Sequence, residues 1–170
     1  VQGKNVGSSL IDEENLEVAE SILRLLEKSN TNLVLPVDVV ASSELSNDTT
    51  WRVANLEELK DDEAGYDIGP ETTMNFELLL SGNKTIVWNG PMGVFEIPAF
   101  STGTQAIASA VRDQTEEGAV SIIGGGDTAS ALKNYGITDG FTHISTGGGA
   151  SLQLMSGKQL PALEALHEYV

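Results

Sequence analysis

Two stretches of this chain repeat one design. Ser121-Ile122-Ile123-Gly124-Gly125-Gly126-Asp127-Thr128-Ala129-Ser130 and His143-Ile144-Ser145-Thr146-Gly147-Gly148-Gly149-Ala150-Ser151 each run a short apolar strand into three glycines and then a helical pattern. A strand that turns at once into a helix has few places to go. It belongs to a parallel sheet whose next strand is reached by crossing back over one face. Three glycines at such a junction leave a row of backbone N–H groups uncovered, at the positive end of the following helix dipole. That is an anion site, and phosphate is the usual anion. Two such junctions predict one charged group gripped from two sides.

The rest of the chain fits the same scheme. Leu16, Ala19, Ile22, Leu23 and Leu26 recur at helical spacing within Asp12–Lys28, with Asp12, Glu13 and Glu14 in the first turn. The run 32–41 is almost continuously apolar, as in a strand buried on both faces, and Pro36 within it marks a strand end or edge. Residues 42–69 read as polar and irregular, with short β-like pieces such as 51–54. Pro70 opens a helix whose Met74, Leu78 and Leu79 are expected to point inward. Thr85–Trp88 reads as a second buried strand, ending at Asn89-Gly90-Pro91-Met92-Gly93. Thr102–Glu117 reads as a helix with Ala106, Ile107, Ala110 and Val111 inward, closed by Gly118. Val120–Ile123 and Thr142–Ser145 are strands, followed by helices that stop at Gly136 and Gly157, and Pro161 opens a last short helix. The expected fold is α/β, a Rossmann-like three-layer domain with a parallel sheet. Its ligand edge would be the carboxyl ends of the strands, where 89–96, 124–128 and 146–149 all lie.

Charge limits the partners. The chain has 25 acidic and 9 basic residues, a net charge of −16. Such a field argues against nucleic acid and against an anionic membrane surface. No apolar run is long enough to cross a membrane. There is no cysteine, so disulfides and thiolate chemistry are excluded. A cytoplasmic location is the default. An anionic ligand here would need a metal ion or basic groups to neutralise it, yet only Arg112, Lys133 and Lys158 follow residue 85, and none lies in a glycine loop.

The loop residues carry alternatives. Gly124-Gly125-Gly126-Asp127-Thr128-Ala129 formally fits a dinucleotide fingerprint, but no acid follows at the required distance, and no P-loop sequence occurs. Asp127 is either the cap of the next helix or a ligand for a divalent cation beside a phosphate. Thr128 is either a phosphate donor or first-turn helix. The amide of Asn89 suits a phosphate oxygen and Glu96 suits a ribose diol, against the plainer reading of an Asn-Gly turn and a solvent-facing acid. Asp38 reads as a strand-end turn former, and His143 and His167 as structural.

Together these motifs resemble phosphoglycerate kinase. The segments 35–40, 87–96, 124–128, 143–151 and 157–166 match that family in order and spacing along essentially the whole chain. The resemblance implies the C-terminal, nucleotide-binding domain over 1–170, with the first strands of that lobe and the whole N-terminal lobe missing. It implies reversible phosphoryl transfer between 1,3-bisphosphoglycerate and Mg²⁺–ADP, giving 3-phosphoglycerate and ATP, in a monomeric parent enzyme. Carried over by position, Gly90, Pro91, Gly93 and Val94 would join Asn89 and Glu96 around the nucleotide. Gly124, Gly125, Gly126 and Thr128 would meet its phosphates, and Asp127 would hold its Mg²⁺. Gly125, Gly147 and Gly148 would support the phosphoryl in transfer. Gly65 and Tyr66 match a segment that borders the adenine, where the family usually has Gly-Leu. The family's acceptor lobe supplies a basic cluster, so this chain alone is expected to be inactive. The alternatives are a non-catalytic Mg²⁺–nucleotide or phosphate-binding module, and a fragment that folds only with its missing strands.

Overall fold

The structure is a computed structural model and describes residues 1–145, 147–161, 164 and 165. In chain order the elements are helix α1 (Leu16–Leu26), strands β1 (Asp38–Ser42), β2 (Arg52–Asn55) and β3 (Ala64–Ile68), and helix α2 (Pro70–Leu80). Then come β4 (Thr85–Asn89), α3 (Thr102–Glu116), β5 (Val120–Gly124), α4 (Gly126–Asn134), β6 (His143–Ser145) and α5 (Gly148–Met155). The expected last helix begins at Pro161, and residues 162, 163 and 166–170, His167 among them, lie outside the described residues.

The parallel sheet has the order β4-β5-β6. Asn89 lies opposite Gly124, and Gly124 opposite Ser145, so the three strands end abreast. Helices α3 and α4 pack on β5. The core between them is Ile86, Trp88, Ile107, Ala108, Val111, Ile123 and Leu132, with Ile68 entering from β3. Positive-φ glycines end the preceding helices, at Gly118 (φ 105°) and Gly136 (φ 70°), where a Cβ would be strained.

Three expectations need correction. First, the parallel sheet holds only half of the strands. β1, β2 and β3 form a separate antiparallel sheet in the order β2-β1-β3. The run 32–41 is not one strand buried on both faces. Its ladder begins only at Asp38, after Pro36, and Leu33, Val34, Leu35 and Val37 stay exposed. Asn32 and Val34 face Val87 and Trp88 across a cavity of about 530 Å³, also lined by Phe76 and Leu80. Second, β4 is buried on one face only: Ile86 and Trp88 point into the core while Val87 is exposed. Third, α2 has the opposite phase. Met74, Leu78 and Leu79 are exposed, while Thr72 is buried and Phe76 and Leu80 pack on the core. In α3 the stripe is likewise rotated toward Gly103, Thr104 and Ala108, and Ala106 and Ala110 are only half-buried.

The two sheets are joined by buried carboxylates at helix N-termini. Asp38 is not a turn former. Its carboxylate accepts from Glu71 N–H (3.0 Å), Thr72 N–H (2.7 Å) and the Thr72 hydroxyl (2.6 Å), and so caps α2 from a neighbouring strand. Asp67, on β3, accepts from Gly103 N–H at 2.8 Å and caps α3 in the same way. The antiparallel sheet therefore holds the two helices that lead into and out of β4.

Candidate functional site

The site is built on the carboxyl edge of the parallel sheet. Adjacent strands lie about 4.8 Å apart, so Asn89, Gly124 and Ser145 form a row about 10 Å wide. Behind two of these positions a helix begins: α4 with Gly125 as N-cap, and α5 with Gly147 as N-cap. Both helix dipoles thus present their positive ends along one edge. Gly126, Asp127, Gly147, Gly149, Asn89 and Glu96 are exposed, so the edge is open to ligand.

The first glycine junction is made of glycine for a stated reason. Gly125 has φ 96°, and a Cβ there would lie 2.8 Å from Asn89 Oδ1 and 3.3 Å from Thr128 Oγ1. Asn89 therefore stands directly over the junction, and the two motifs meet. Asp127 sits one residue into α4, and that helix has no side-chain cap. The capping alternative for Asp127 thus falls away. Its exposed carboxylate has no hydrogen-bond or ion-pair partner among the described residues. Thr128 takes the first-turn position in α4. It is fully buried, and its hydroxyl accepts from Gly90 N–H at 2.8 Å. It ties the β4 and β5 loops together from beneath.

The loop after β4 is pinned along its length. The Trp88 indole N–H donates to Gly90 O (2.7 Å), and Gly90 has φ 100°. Met92 and Gly93 N–H donate to Thr104 Oγ1, at 3.0 and 3.3 Å, and Val94 N–H donates to Tyr66 O at 2.8 Å. Pro91 is half-buried between these anchors, and Glu96 lies two residues past the last one. Gly65 and Tyr66 are thereby brought to the same loop. The Tyr66 ring packs tilted on Phe100, 5.1 Å between centroids. Burial pushes the Asp67 carboxyl up to about 6, opposed by the hydrogen bonds from Gly103 and Ile68 N–H.

The second junction is looser. Gly147 N–H donates to Ser145 Oγ (3.3 Å), and the Ser151 hydroxyl reaches the same oxygen (3.2 Å). Gly148 opens α5, and Thr146 lies outside the described residues. His143 is exposed on β6, opposite Ile122, away from the strand's ligand end. Asp67, Thr104 and Thr72 are organising residues that the sequence reading did not single out, and Asp38 is one that it read as a turn former. They act across long sequence separations, so no local pattern marks them.

The donor set fits one kind of metal. Among the described residues, no three His, Cys, Asp or Glu side chains gather into a metal-binding group. A single free carboxylate beside helix N-termini suits Mg²⁺ that arrives with a nucleotide and takes its other ligands from phosphate and water. No lysine or arginine lies on the site loops. Arg112 packs against Gly140 at the far end of β6, and Lys133 is in the last turn of α4, about 9 Å along the helix axis from Asp127.

The family described as phosphoglycerate kinase matches residues 1–158. A phosphoglycerate kinase of Chloroherpeton thalassium is 46% identical over 165 residues, covering 97% of this chain and 42% of that protein. One of Prosthecochloris aestuarii is 47% identical over 98% of the chain and 42% of its own length. The solved phosphoglycerate kinase of Coxiella burnetii superposes with a TM-score of 0.89 at 44% identity, over 96% of this chain and 41% of that one. The enzyme of Pyrococcus horikoshii gives 0.77 at 35% identity. The chain thus spans about two-fifths of the length of the relatives it matches. Among the described residues, no helix is long and apolar enough to cross a membrane.

Proposed function

Because the chain belongs to the phosphoglycerate kinase family, we propose that its carboxyl edge is the nucleotide-binding part of a site for reversible phosphoryl transfer between 1,3-bisphosphoglycerate and ADP. In this reading residues 1–170 are part of a C-terminal nucleotide-binding domain. The single observation that carries it is Asp127: an exposed, uncapping carboxylate in the first turn of α4, beside Asn89 and the Gly125 junction. A carboxylate there would repel a phosphate, so it implies a cation between them.

Phosphoryl transfer asks the protein for positioning and charge stabilisation rather than covalent chemistry. The N–H groups at the starts of α4 and α5 would meet phosphate oxygens, those of Gly147 and Gly148 facing the transferring group. The Asn89 amide would orient the phosphates from the β4 side. Glu96 would accept from the ribose hydroxyls, and Gly65, Tyr66 and Val94 would border the base. Thr128, being buried under the loops, would act by fixing Gly90 more than by direct donation. Bound Mg²⁺ would neutralise phosphate charge at Asp127. We place the parent enzyme in the cytoplasm as a monomer.

No cationic side chain stands on the described site loops, so the 170-residue chain is proposed to bind Mg²⁺–ADP without turning over. Calorimetry with Mg²⁺–ADP, repeated with EDTA and with Asp127→Ala, tests this. Binding should require the metal and vanish in the variant. Binding that survives both changes would sink the assignment. The absence of a cationic side chain also favours a second reading, a non-catalytic Mg²⁺–nucleotide module. A coupled kinase assay on the chain is expected to show no turnover under either reading.

A further inference from the structure

We propose that Thr104, in the first turn of α3, is a positioning residue for nucleotide, acting through the loop after β4. The inference rests on the nucleotide reading above and extends it to a residue outside the glycine motifs.

The argument starts from burial. Thr104 is fully buried, though it occupies the first turn of a helix, where a threonine is commonly exposed. Its hydroxyl oxygen accepts two successive backbone N–H groups, from Met92 and Gly93. Two N–H groups converging on one side-chain oxygen fix the direction of the peptide between them. The turn that carries Thr104 is itself held, because the Asp67 carboxylate accepts from Gly103 N–H at 2.8 Å. From the other side, Val94 N–H is anchored on Tyr66 O. Gly93 sits in this bracket with no room for a Cβ, which would fall against the Asp67 carboxylate and 2.5 Å from Phe100 O. The order of support runs from β3 to Asp67, to the α3 turn, to Thr104, to residues 92–94, and so to Val94 and Glu96. Nothing else described holds Met92 and Gly93 by hydrogen bonds. Loss of the hydroxyl therefore leaves two N–H groups without acceptors and frees the loop that carries the base- and ribose-facing residues.

The test is Thr104→Val, which keeps shape and removes the hydroxyl, with Thr104→Ser to restore it. Thr104→Ala serves if the valine variant folds poorly. Thr115→Val is the control, since it removes a hydroxyl that bonds Ser121 at the far end of the same helix, away from the loop. Amide exchange at Met92 and Gly93 and calorimetric titration with Mg²⁺–ADP are read together. In Thr104→Val, exchange at these amides is expected to rise about tenfold or more. Affinity is expected to fall by roughly tenfold, the equivalent of one net hydrogen bond. The serine variant should recover both, and the control should change neither. A freed loop with unchanged affinity, or a control that weakens binding as much as Thr104→Val, overturns the positioning role alone. A parent chain that does not bind Mg²⁺–ADP overturns the site reading and this role with it.

Discussion

Gly69→Ala tests whether the antiparallel sheet really holds α2. Gly69 has φ −78° and ψ 172°, extended backbone open to any residue, so the substitution carries no backbone strain. On its own it would gain roughly 0.4–1 kcal/mol by restricting the unfolded chain. The obstacle is Asp38. A Cβ on Gly69 would lie 2.6 Å from Asp38 Oδ1, with Cγ and Oδ2 closer still. The carboxylate has little freedom to withdraw: it is 3% exposed and accepts three hydrogen bonds from Glu71 and Thr72. If it stays, the overlap costs about 1–3 kcal/mol. If it leaves, α2 loses its cap at about 1–2 kcal/mol and buried N–H groups lose their acceptor at about 1–3 kcal/mol. Net of the gain, the first route costs about 1 kcal/mol and the second about 3 kcal/mol at mid-range, so a loss of about 1–3 kcal/mol is expected. Urea unfolding followed by tryptophan fluorescence would measure it, since Trp88 is buried in the core. Asp38→Ala should cost a similar amount. The double variant should cost clearly less than the sum, by about 1–2 kcal/mol, because the methyl then enters vacated space. A Gly69→Ala chain within about 0.5 kcal/mol of the parent, or strict additivity in the double variant, would refute the reasoning.

Three further outcomes follow. Burial raises the Asp67 carboxyl from 3.8 to about 6, so the native state binds that proton more tightly than the unfolded chain. Its contribution is full below pH 3.8 and is lost as pH rises through about 6; Asp67→Asn should remove that downward slope in melting temperature against pH. Glu63 has the opposite sign. The Arg52 guanidinium, bonded to both its oxygens at 2.9 and 2.7 Å, pulls its carboxyl down from 4.5 to about 2. That contribution is present above pH 4.5 and lost as pH falls toward 2, so Arg52→Met should shift acid unfolding to higher pH. Gly125→Ala places a side chain at φ 96° and 2.8 Å from Asn89 Oδ1, which should cost about 1–3 kcal/mol and abolish Mg²⁺–ADP binding in calorimetry.

The legible parts of the sequence were the ones written locally. The glycine junctions, the strand ends and the helix stops at Gly118 and Gly136 each lie within a few residues, and the chain folds there as its pattern indicates. The antiparallel sheet was not legible, because β1 pairs with strands that begin 14 and 26 residues after its own first residue, and the apolar run 32–41 resembles a parallel strand. The phase of α2 is hidden for a different reason. Leu78-Leu79-Leu80 is apolar all round and fixes no face, and the residue that does fix it, Thr72, is polar and buried against Asp38. Asp127 could be separated from a capping role only by the position of Gly125. Residue type leaves Thr128 open between phosphate donor and first-turn helix; its burial and its bond from Gly90 N–H are set by the loop above it, which no local pattern marks.

The two capping aspartates also say something about how much this architecture can vary. Asp38 opens the antiparallel sheet and Asp67 lies near its end, and each is fastened to a helix beside the site. The hydrogen bonds of residues 43–63 run within this sheet and its turns, to Val37 and to residues 5–9, through bonds such as Asn5 Nδ2 to Leu59 O and Ser8 N–H to Glu63 O. It is an excursion with both ends clamped. Residues inserted or removed at its outer turn, around Ser46–Asp48, would change its reach and leave the row at Asn89, Gly124 and Ser145 where it is.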